Sequence, residues 1–262
     1  MGSSLLFFKI KPVKIQYCSD LHLEFKSNSR YLKESPIMPS GEVLILAGDT
    51  WYLDRDYSKH PVIKSVAQQY EQVILIPGNH EYYSGYNFSE AGTSFVKEIL
   101  PNVKMVNNTV LRVQEIDIIC STLWSKIERN PIGVMNGMAD FDLIKKDGRK
   151  INYRDYNSAH SDCLSFIDKA LSTAGKKIVV THHLPSNICN AKEFANSMLN
   201  EAFCVDLTDM IYNSDASYWI YGHSHRNVEK KVLNETELIT NQLGYVSYNE
   251  HMNYRNDAYV EI

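Results

Sequence analysis

The 262-residue chain has few of the features that stabilise secreted proteins or anchor a protein in a membrane. Its five cysteines are an odd number, and no two have the C-x-x-C spacing of a zinc-thiolate or redox site. A disulfide framework is therefore not expected, and free thiols predict a reducing, cytoplasmic location. No apolar run approaches the roughly 18 residues of a membrane-spanning helix, so we expect no membrane span.

An excess of positive charge is also absent. Lysine and arginine number 27 against 31 aspartates and glutamates, and the formal net charge is −4. Surfaces that bind nucleic acid or anionic membranes carry clusters of basic residues, and no such stripe is evident in the sequence. We therefore predict no extended nucleic-acid surface, and any attraction for an anionic ligand must come from a local site.

Internal repeats and low-complexity linkers are missing as well. An apolar run at positions 5–8 is too short for the core of a signal peptide and has no basic residue before it. We interpret residues 1–12 as a leader or expression remnant and residues 13–262 as a single domain. That length is sufficient to bury a large core without cross-links.

Short apolar runs alternate along the chain with segments of helical periodicity. The predicted strands cover residues 13–18, 43–47, 73–76, 116–120, 177–180 and 218–221. The predicted helices cover residues 60–70, 89–100, 153–173 and 191–212. Residues 125–150 form a long loop, and short strands at residues 228–233, 237–240 and 258–262 follow, with a hairpin turn at residues 233–236. This alternation predicts an α/β fold.

Residue types that bind metal ions follow five of the predicted strands. In chain order the motifs are D-x-H (Asp20, His22), G-D (Asp49), G-N-H-E (Asn79, His80), H-H-x-P (His182, His183) and G-H-x-H (His223, His225). Because sites in α/β sheets form beyond the carboxyl ends of strands, we expect the motifs to meet in one region. An extended D-x-H segment would place both side chains on the same side.

This set of donors indicates more than one divalent ion. Imidazole and carboxylate groups suit zinc, manganese and iron, and the donors outnumber the four that a tetrahedral ion takes. A carboxylate between two ions can bridge them at about 4 Å, the separation used in two-metal hydrolysis. Each motif alone has an ordinary explanation, such as a turn, a capping Asn or a hydrogen-bonded His. Their joint order along the chain is much harder to obtain by chance.

That order resembles the signature of the calcineurin-like metallophosphoesterase superfamily, and the match runs from Asp20 to His225. Residues 19–25 and 78–83 further resemble a bacterial-type branch of predicted phosphoesterases. The resemblance implies a four-layer α/β/β/α sandwich of two mixed β-sheets flanked by helices. It also implies two divalent metal ions as cofactors, with manganese as the first expectation and iron, zinc, nickel or cobalt as alternatives.

The resemblance also implies a role for each motif residue. Asp20, His22 and His225 are expected to hold the first ion, Asp49 to bridge both, and Asn79, His182 and His223 to complete the second, with His183 as the alternative to His182. His80 is expected to face the phosphate as the catalytic residue. The implied reaction is hydrolysis of a small phosphodiester or phosphomonoester by a hydroxide that bridges the ions, with His80 stabilising charge or protonating the leaving oxygen.

The chain departs from the family pattern in ways that narrow the substrate. Many members read G-D-x-x-D, where this chain has Tyr52 in place of the second Asp, and the arginines of the protein phosphatases are missing. A phosphoprotein substrate is therefore not expected, and the carboxylate partner of His80 would be Glu81 or a remote residue. Aromatic rings near strand ends can stack on a nucleobase, although packing is their commoner role. The candidate substrate-lining residues are Tyr82, Tyr83, Trp124 and His183.

Two other functions stay open. A nuclease of the same superfamily would show strongly salt-dependent affinity for duplex DNA, which the acidic charge balance argues against. A non-catalytic interaction module on the same fold would lack site residues, whereas this chain retains the complete set of motifs. The tyrosine-rich residues 241–262 could cover a sheet edge or form a dimer surface, and the sequence leaves the oligomeric state open.

Overall fold

The computed structural model describes residues 12–262. The strands of this part of the chain are β1 Lys14–Cys18, β2 Val43–Ala47, β3 Gln72–Ile76, β4 Phe95–Leu100, β5 Val103–Asn107, β6 Thr109–Val113, β7 Ile116–Ser121, β8 Lys145–Lys146, β9 Arg149–Lys150, β10 Lys176–Thr181, β11 Ala216–Tyr221, β12 Lys231–Leu233, β13 Thr236–Thr240 and β14 Tyr259–Glu261. Its α-helices are α1 Lys26–Glu34, α2 Pro61–Gln69, α3 Pro131–Gly137, α4 Asp140–Leu143, α5 Tyr153–Leu171, α6 Asn200–Phe203 and α7 Thr208–Tyr212. Except for Pro12, the predicted leader (residues 1–12) lies outside the described residues.

The strands form two six-stranded sheets and one small hairpin. The first sheet has the order β14-β1-β2-β3-β5-β4, and the second has the order β12-β13-β11-β10-β7-β6. In each sheet four central strands run parallel, and an antiparallel strand lies at either edge. Parallel strands end on the same side, so each sheet presents the carboxyl ends of four strands together.

The core between the sheets follows from the alternation of side chains along each strand. In β3, Ile74 and Ile76 belong to a buried cluster that also contains Ile178 of β10 in the second sheet. Val73 and Leu75, which point the other way, belong to a separate cluster with residues of the helices. The strands are apolar on both faces because both faces are covered.

Helices cover the outer faces of both sheets. Leu32 of α1 and Ile63 of α2 are buried in the cluster on the first sheet. Ile167 of α5 and Ile211 of α7 are buried in the cluster on the second. The layers are therefore helix, sheet, sheet and helix, and the predicted α/β/β/α sandwich of two mixed sheets is confirmed.

Most predicted elements are confirmed, with small shifts at their ends. The helices predicted at residues 60–70 and 153–173 are α2 and α5, and the predicted C-terminal hairpin is β12 paired with β13. Elements α1, β5 and β6 were not predicted from the sequence. The segment predicted as a loop at residues 125–150 contains α3, α4 and the β8–β9 hairpin. Across residues 12–262, none of the helices has the length and apolar character that crossing a bilayer requires.

The helix predicted at residues 89–100 is wrong. Residues 95–100 form β4, an edge strand that pairs antiparallel with β5. The register shifts between Glu98 and Leu100, and a bulge of this kind breaks the alternation of inward and outward side chains. The apolar pairs 95–96 and 99–100 therefore imitate the spacing of a helix face.

The helix predicted at residues 191–212 is also wrong. The chain forms only a short turn at Lys192–Phe194, then α6 and α7, with irregular backbone between them. Asn200 Nδ2 donates to the carbonyl oxygens of Phe194 and Ala195 at 2.6 and 3.3 Å. Such side-chain bonds to nearby backbone compete with the helical hydrogen bonds that the composition favours.

Candidate metal centre

The five motifs meet at one edge of the sandwich, as the sequence predicted. Strands β1, β2 and β3 of the first sheet and β10 and β11 of the second each end directly before a motif. Two groups consist of motif residues alone, and within each group the possible ligand atoms lie within 4.8 Å of one another. The first group is Asp20, His22, Asp49 and His225, and the second is Asp49, His182 and His223. Asp49 belongs to both groups.

The first group brings four buried side chains together. His22 Nε2 and His225 Nε2 are 2.9 Å apart, and His225 Nε2 lies 3.4 Å from Asp20 Oδ1. Asp49 Oδ2 lies 3.7 Å from His22 Nε2. Ligands that each lie about 2.1 Å from one ion are separated by roughly 3–4 Å, so these atoms have the spacing of a single coordination sphere.

The second group lies on the other side of Asp49. His182 Nε2 is 3.3 Å from Asp49 Oδ1 and 3.2 Å from Asn79 Oδ1. The ring of His223 lies 4.9 Å from that of His182. Of the two adjacent histidines that the sequence left as alternatives, His182 belongs to this group and His183 does not.

Five of the motif residues have a left-handed backbone. The φ angles are 56° at Asp20, 46° at His22, 52° at Asp49, 74° at His223 and 52° at His225. Residues other than glycine seldom adopt this conformation, and it costs roughly 1 kcal/mol or more at each position. The expectation of an extended D-x-H segment is therefore wrong. Left-handed backbone at Asp20 and again at His22, rather than strand geometry, directs the two side chains to one place.

Two glycines leave space for the ligands. A Cβ atom on Gly78 would lie 2.2 Å from Asp49 Oδ1 and 2.6 Å from His182 Nε2. A Cβ atom on Gly222 would lie 2.7 Å from Asp20 Oδ2. Both contacts are too close for carbon, so the strand ends approach the ligands only because these residues have no side chain.

The histidine nitrogens that face away from the two groups have partners of their own. Nδ1 of His182 lies 3.0 Å from a carbonyl oxygen at the end of β2, and Nε2 of His223 lies 3.3 Å from one in α6. Nδ1 of His225 lies 2.7 Å from Glu250 Oε2. Burial would lower the pKa of His225, but Asp20 and Glu250 outweigh burial and raise it to about 10. Such partners fix which ring nitrogen faces the site.

Glu24 supplies the carboxylate partner of His80. Its Oε1 atom lies 2.9 Å from His80 Nδ1 and 3.0 Å from His22 Nδ1, so one oxygen serves both rings. Burial would raise the pKa of Glu24, but the contacts with His22 and His80 outweigh it, and the pKa is lowered. The carboxylate that contacts His80 therefore comes from the segment after β1 and not from position 52, where many family members have their second Asp.

Glu81, the other carboxylate considered for His80, has a different place. It accepts hydrogen bonds from the backbone N–H groups of Asp49 (3.0 Å), Thr50 (2.7 Å) and Gly78 (2.7 Å). These bonds join the ends of β2 and β3, so Glu81 holds two motif loops together from beneath.

Asp140 of α4 orients the amide of Asn79. Its Oδ1 atom accepts hydrogen bonds from Asn79 Nδ2 at 2.8 Å and from the Tyr83 hydroxyl. With its nitrogen held by Asp140, Asn79 turns its oxygen towards His182. The long loop at residues 125–150 therefore contributes to the second group without supplying a ligand.

A cleft of about 670 Å³ opens from the two groups. His80 lies at its floor, and Tyr83, whose ring centroid is 4.1 Å from that of His80, forms part of its wall. Tyr245 also lines it, with its hydroxyl oxygen 3.2 Å from His80 Nε2. Much of the rest of its wall is built from residues within segments 138–143 and 190–203.

Three of the four candidate substrate-lining residues lie outside this cleft. Tyr82 and Trp124 are fully buried in the core of the first sheet, with ring centroids 5.7 Å apart. His183 is buried behind His223, and its Nε2 atom lies 2.8 Å from the hydroxyl of Tyr156. Packing, the commoner role of aromatic residues, accounts for all three.

Sequence reasoning missed four residues that contact the motif residues at this edge. They are Glu24, Asp140, Tyr245 and Glu250. Glu24 stands two residues after His22, a proximity that could have singled it out. The other three come from the long loop and from the C-terminal segment 241–262, and no spacing within those segments marks them.

The donor set fits a pair of divalent ions. Asp49 turns Oδ2 towards His22 and Oδ1 towards His182, so it offers one oxygen to each group. Buried carboxylates require positive charge nearby. Burial would lower the pKa of His182, but Asp49 outweighs burial and raises it to about 9. Imidazole-rich sites favour manganese, iron or zinc over calcium.

Comparison with known proteins finds relatives in sequence and in fold. A curated relative, "Uncharacterized protein L509" of Acanthamoeba polyphaga mimivirus, is 30% identical over 275 residues, covering 95% of this chain and 96% of the relative. A solved structure, the phosphopantetheinyl hydrolase of Mycobacterium tuberculosis, shares the fold with a TM-score of 0.70 at 16% identity, covering 96% of each chain. The profile of the family described as calcineurin-like phosphoesterase matches residues 13–227, and the chain therefore belongs to that family.

Proposed function

We propose that the protein is a cytoplasmic hydrolase of small phosphate esters that works with two divalent metal ions, manganese being the first candidate. The observation that carries the proposal is the position of Asp49 between two groups of buried ligands. Membership of the calcineurin-like phosphoesterase family supports the reaction class. The first ion would be held by Asp20, His22, Asp49 and His225, and the second by Asp49, Asn79, His182 and His223.

Two ions held in this way would supply Lewis-acid activation of water and of the phosphate ester. The residues of the chain provide charge balance and orientation. Asp20 and Asp49 are buried carboxylates, and burial would raise the pKa of each, but the neighbouring histidines outweigh it and lower both. Both aspartates are therefore ionised and ready to hold cations at neutral pH.

His80 is positioned to hold a proton where the cleft meets the two ligand groups. Burial would lower its pKa, but Asp49 and Glu24 outweigh burial and raise it above the ordinary value for histidine. A protonated His80 donates from Nδ1 to Glu24 and presents its Nε2–H to the cleft beside Tyr245. From there it can donate to a phosphate oxygen or to the leaving oxygen.

The test is hydrolysis of bis-p-nitrophenyl phosphate and p-nitrophenyl phosphate by manganese-loaded protein, with bound ions counted by mass spectrometry. We expect two ions per chain and turnover that Asp49→Ala abolishes. We would also test two further compounds for hydrolysis. One is a phosphopantetheinylated compound, suggested by the name of the structural relative, and the other is duplex DNA. Two bound ions without turnover of any compound would contradict a hydrolase and favour a non-catalytic module.

A further inference from the structure

We propose that the outer part of the cleft is a subsite for an uncharged, largely apolar group attached to the scissile phosphate. This inference rests on the proposed function and narrows it to a substrate class. The wall of the subsite is formed by Met138, Leu143, Phe194, Leu199 and Phe203.

The subsite is continuous with the candidate metal centre. The ring of Phe203 lies 4.6 Å from that of His223, with an angle of 31° between their planes. The two wall segments also meet, because a Cβ atom on Gly137 would lie 2.7 Å from Leu199 Cδ2. A group attached to a phosphate at the ions would therefore pass directly onto an apolar surface.

The subsite offers no free positive charge. Among the described residues that line the cleft, Arg226 is the one lysine or arginine. Its guanidinium is paired with Glu193 at 2.5 Å and Glu250 at 3.2 Å, and it lies 5.1 Å from the ring centre of Phe194. Polyphosphates and nucleic-acid backbones are bound by unpaired lysine and arginine, so neither suits this wall.

The polar side chains in the wall of the subsite are neutral, and two of them are joined to each other. Asn190 Nδ2 donates to Asn200 Oδ1 at 3.1 Å, and Asn200 Nδ2 donates to the Phe194 carbonyl oxygen at 2.6 Å. They can form hydrogen bonds with an amide or hydroxyl on the substrate, but they carry no charge that would attract a second anion. The cleft, at about 670 Å³, has the size of sites that bind whole small molecules rather than a phosphate alone.

The experiment compares alkyl p-nitrophenyl phosphates whose alkyl group is methyl, butyl or octyl, together with an ω-carboxyalkyl ester of octyl length. With manganese-loaded protein we expect kcat/KM to rise by up to about fourfold per buried methylene, and the carboxylate ester to lose that gain. Affinities for methylphosphonate and octylphosphonate, measured by calorimetry, provide a readout that does not depend on turnover.

Two single substitutions test whether the alkyl group of the substrate contacts the proposed wall. Leu143 is 44% exposed, so Leu143→Asp should fold, and it should lower the octyl-to-methyl ratio of kcat/KM at least tenfold. Met198→Asp, at a residue 78% exposed beside the wall, is the matched control and should leave the ratio unchanged. Turnover without dependence on chain length, or a preference for the carboxylate ester, would overturn the subsite and leave the phosphoesterase intact. If nothing is hydrolysed, equal affinity for the two phosphonates would overturn it as well.

Discussion

Glu24 and His80 are joined by a contact of 2.9 Å between Oε1 and Nδ1. The same oxygen also contacts the proposed metal ligand His22. The proton on His80 and the ligand strength of His22 therefore depend on one carboxylate. A change at Glu24 should affect both turnover and ion binding, and the two effects can be separated by a double-mutant cycle.

We predict that His80→Ala lowers kcat by about 10²- to 10⁴-fold without loss of bound ions, because it removes a proton donor and no ligand. Glu24→Gln should lower kcat and the affinity for the first ion, each by about 10- to 100-fold. In the His80→Ala background, Glu24→Gln should still lower the affinity for the first ion but should cause no further loss of kcat. Steady-state kinetics with manganese titration measure both quantities. Full and independent losses of kcat from the two changes would show that Glu24 does not act through His80.

We predict that Asp140→Ala lowers the affinity for the second ion by about 10- to 100-fold, because Asn79 is then free to turn its nitrogen towards the site. Tyr83→Phe, which leaves the bond between Asn79 and Asp140 in place, should have a smaller effect. Calorimetric titration with manganese measures the affinity of each ion. Asp142→Ala, an exposed residue of the same helix, is the control. Unchanged affinity for two ions in Asp140→Ala would refute the orienting role.

We predict that Gly78→Ala lowers ion affinity by about tenfold or more, since the added carbon would displace Asp49 and His182. Gly148→Ala is the matched control, because no atom lies within 4 Å of its added carbon. Its φ of 81° gives the control a stability cost of about 1 kcal/mol and no effect on the ions. Two tightly bound ions in Gly78→Ala would contradict this account of the glycine.

We predict a pH-dependent stability contribution from Asp155 at the start of α5. Its carboxylate accepts two hydrogen bonds from Arg149 (2.7 and 2.9 Å) and one from the Asn152 N–H (3.1 Å). Arg149, with support from Asn152, lowers the pKa of Asp155 to about 2. The unfolded value is about 3.9, so the contribution is complete above pH 4 and is lost as pH falls through about 2.

Asp155→Asn should therefore lower the free energy of unfolding by about 1 kcal/mol at pH 7, and the difference should shrink as pH falls and vanish below about pH 2. Urea titrations across this range measure it. Asp257→Asn is the control, because its contact with Arg255 is exposed and such pairs contribute little. A difference that does not change with pH would show that charge is not the cause.

The location of the candidate site was predictable because its ligands follow buried strands directly. Short apolar runs indicate such strands. Parallel pairing brings Asp20 and Asp49 to one edge of the first sheet, and the packing of the two sheets brings His182 beside Asp49. The left-handed backbone at Asp20 and Asp49 was not predictable, because nothing in the local sequence requires that conformation there. Only the folded surroundings impose that conformation.

The residues that support the ligands could not be found by spacing. Glu250 reaches His225 across 25 residues, and Asp140 reaches Asn79 across 61. These pairs depend on how the long loop and the C-terminal segment pack. The incorrect helix prediction at residues 89–100 also has a structural cause. A bulge in β4 disrupts the alternation of apolar side chains by which a strand is recognised in a sequence.

Each proposed ion draws ligands from both sheets. Asp20 and His22 follow β1, whereas His225 follows β11 in the other sheet; Asn79 follows β3, whereas His182 follows β10. The ions would therefore fasten the two halves of the sandwich at one edge, and their binding free energy would count towards folding. In a cell short of the metal, the chain would lose its protection against proteases together with its chemistry, and its lifetime would follow the metal supply.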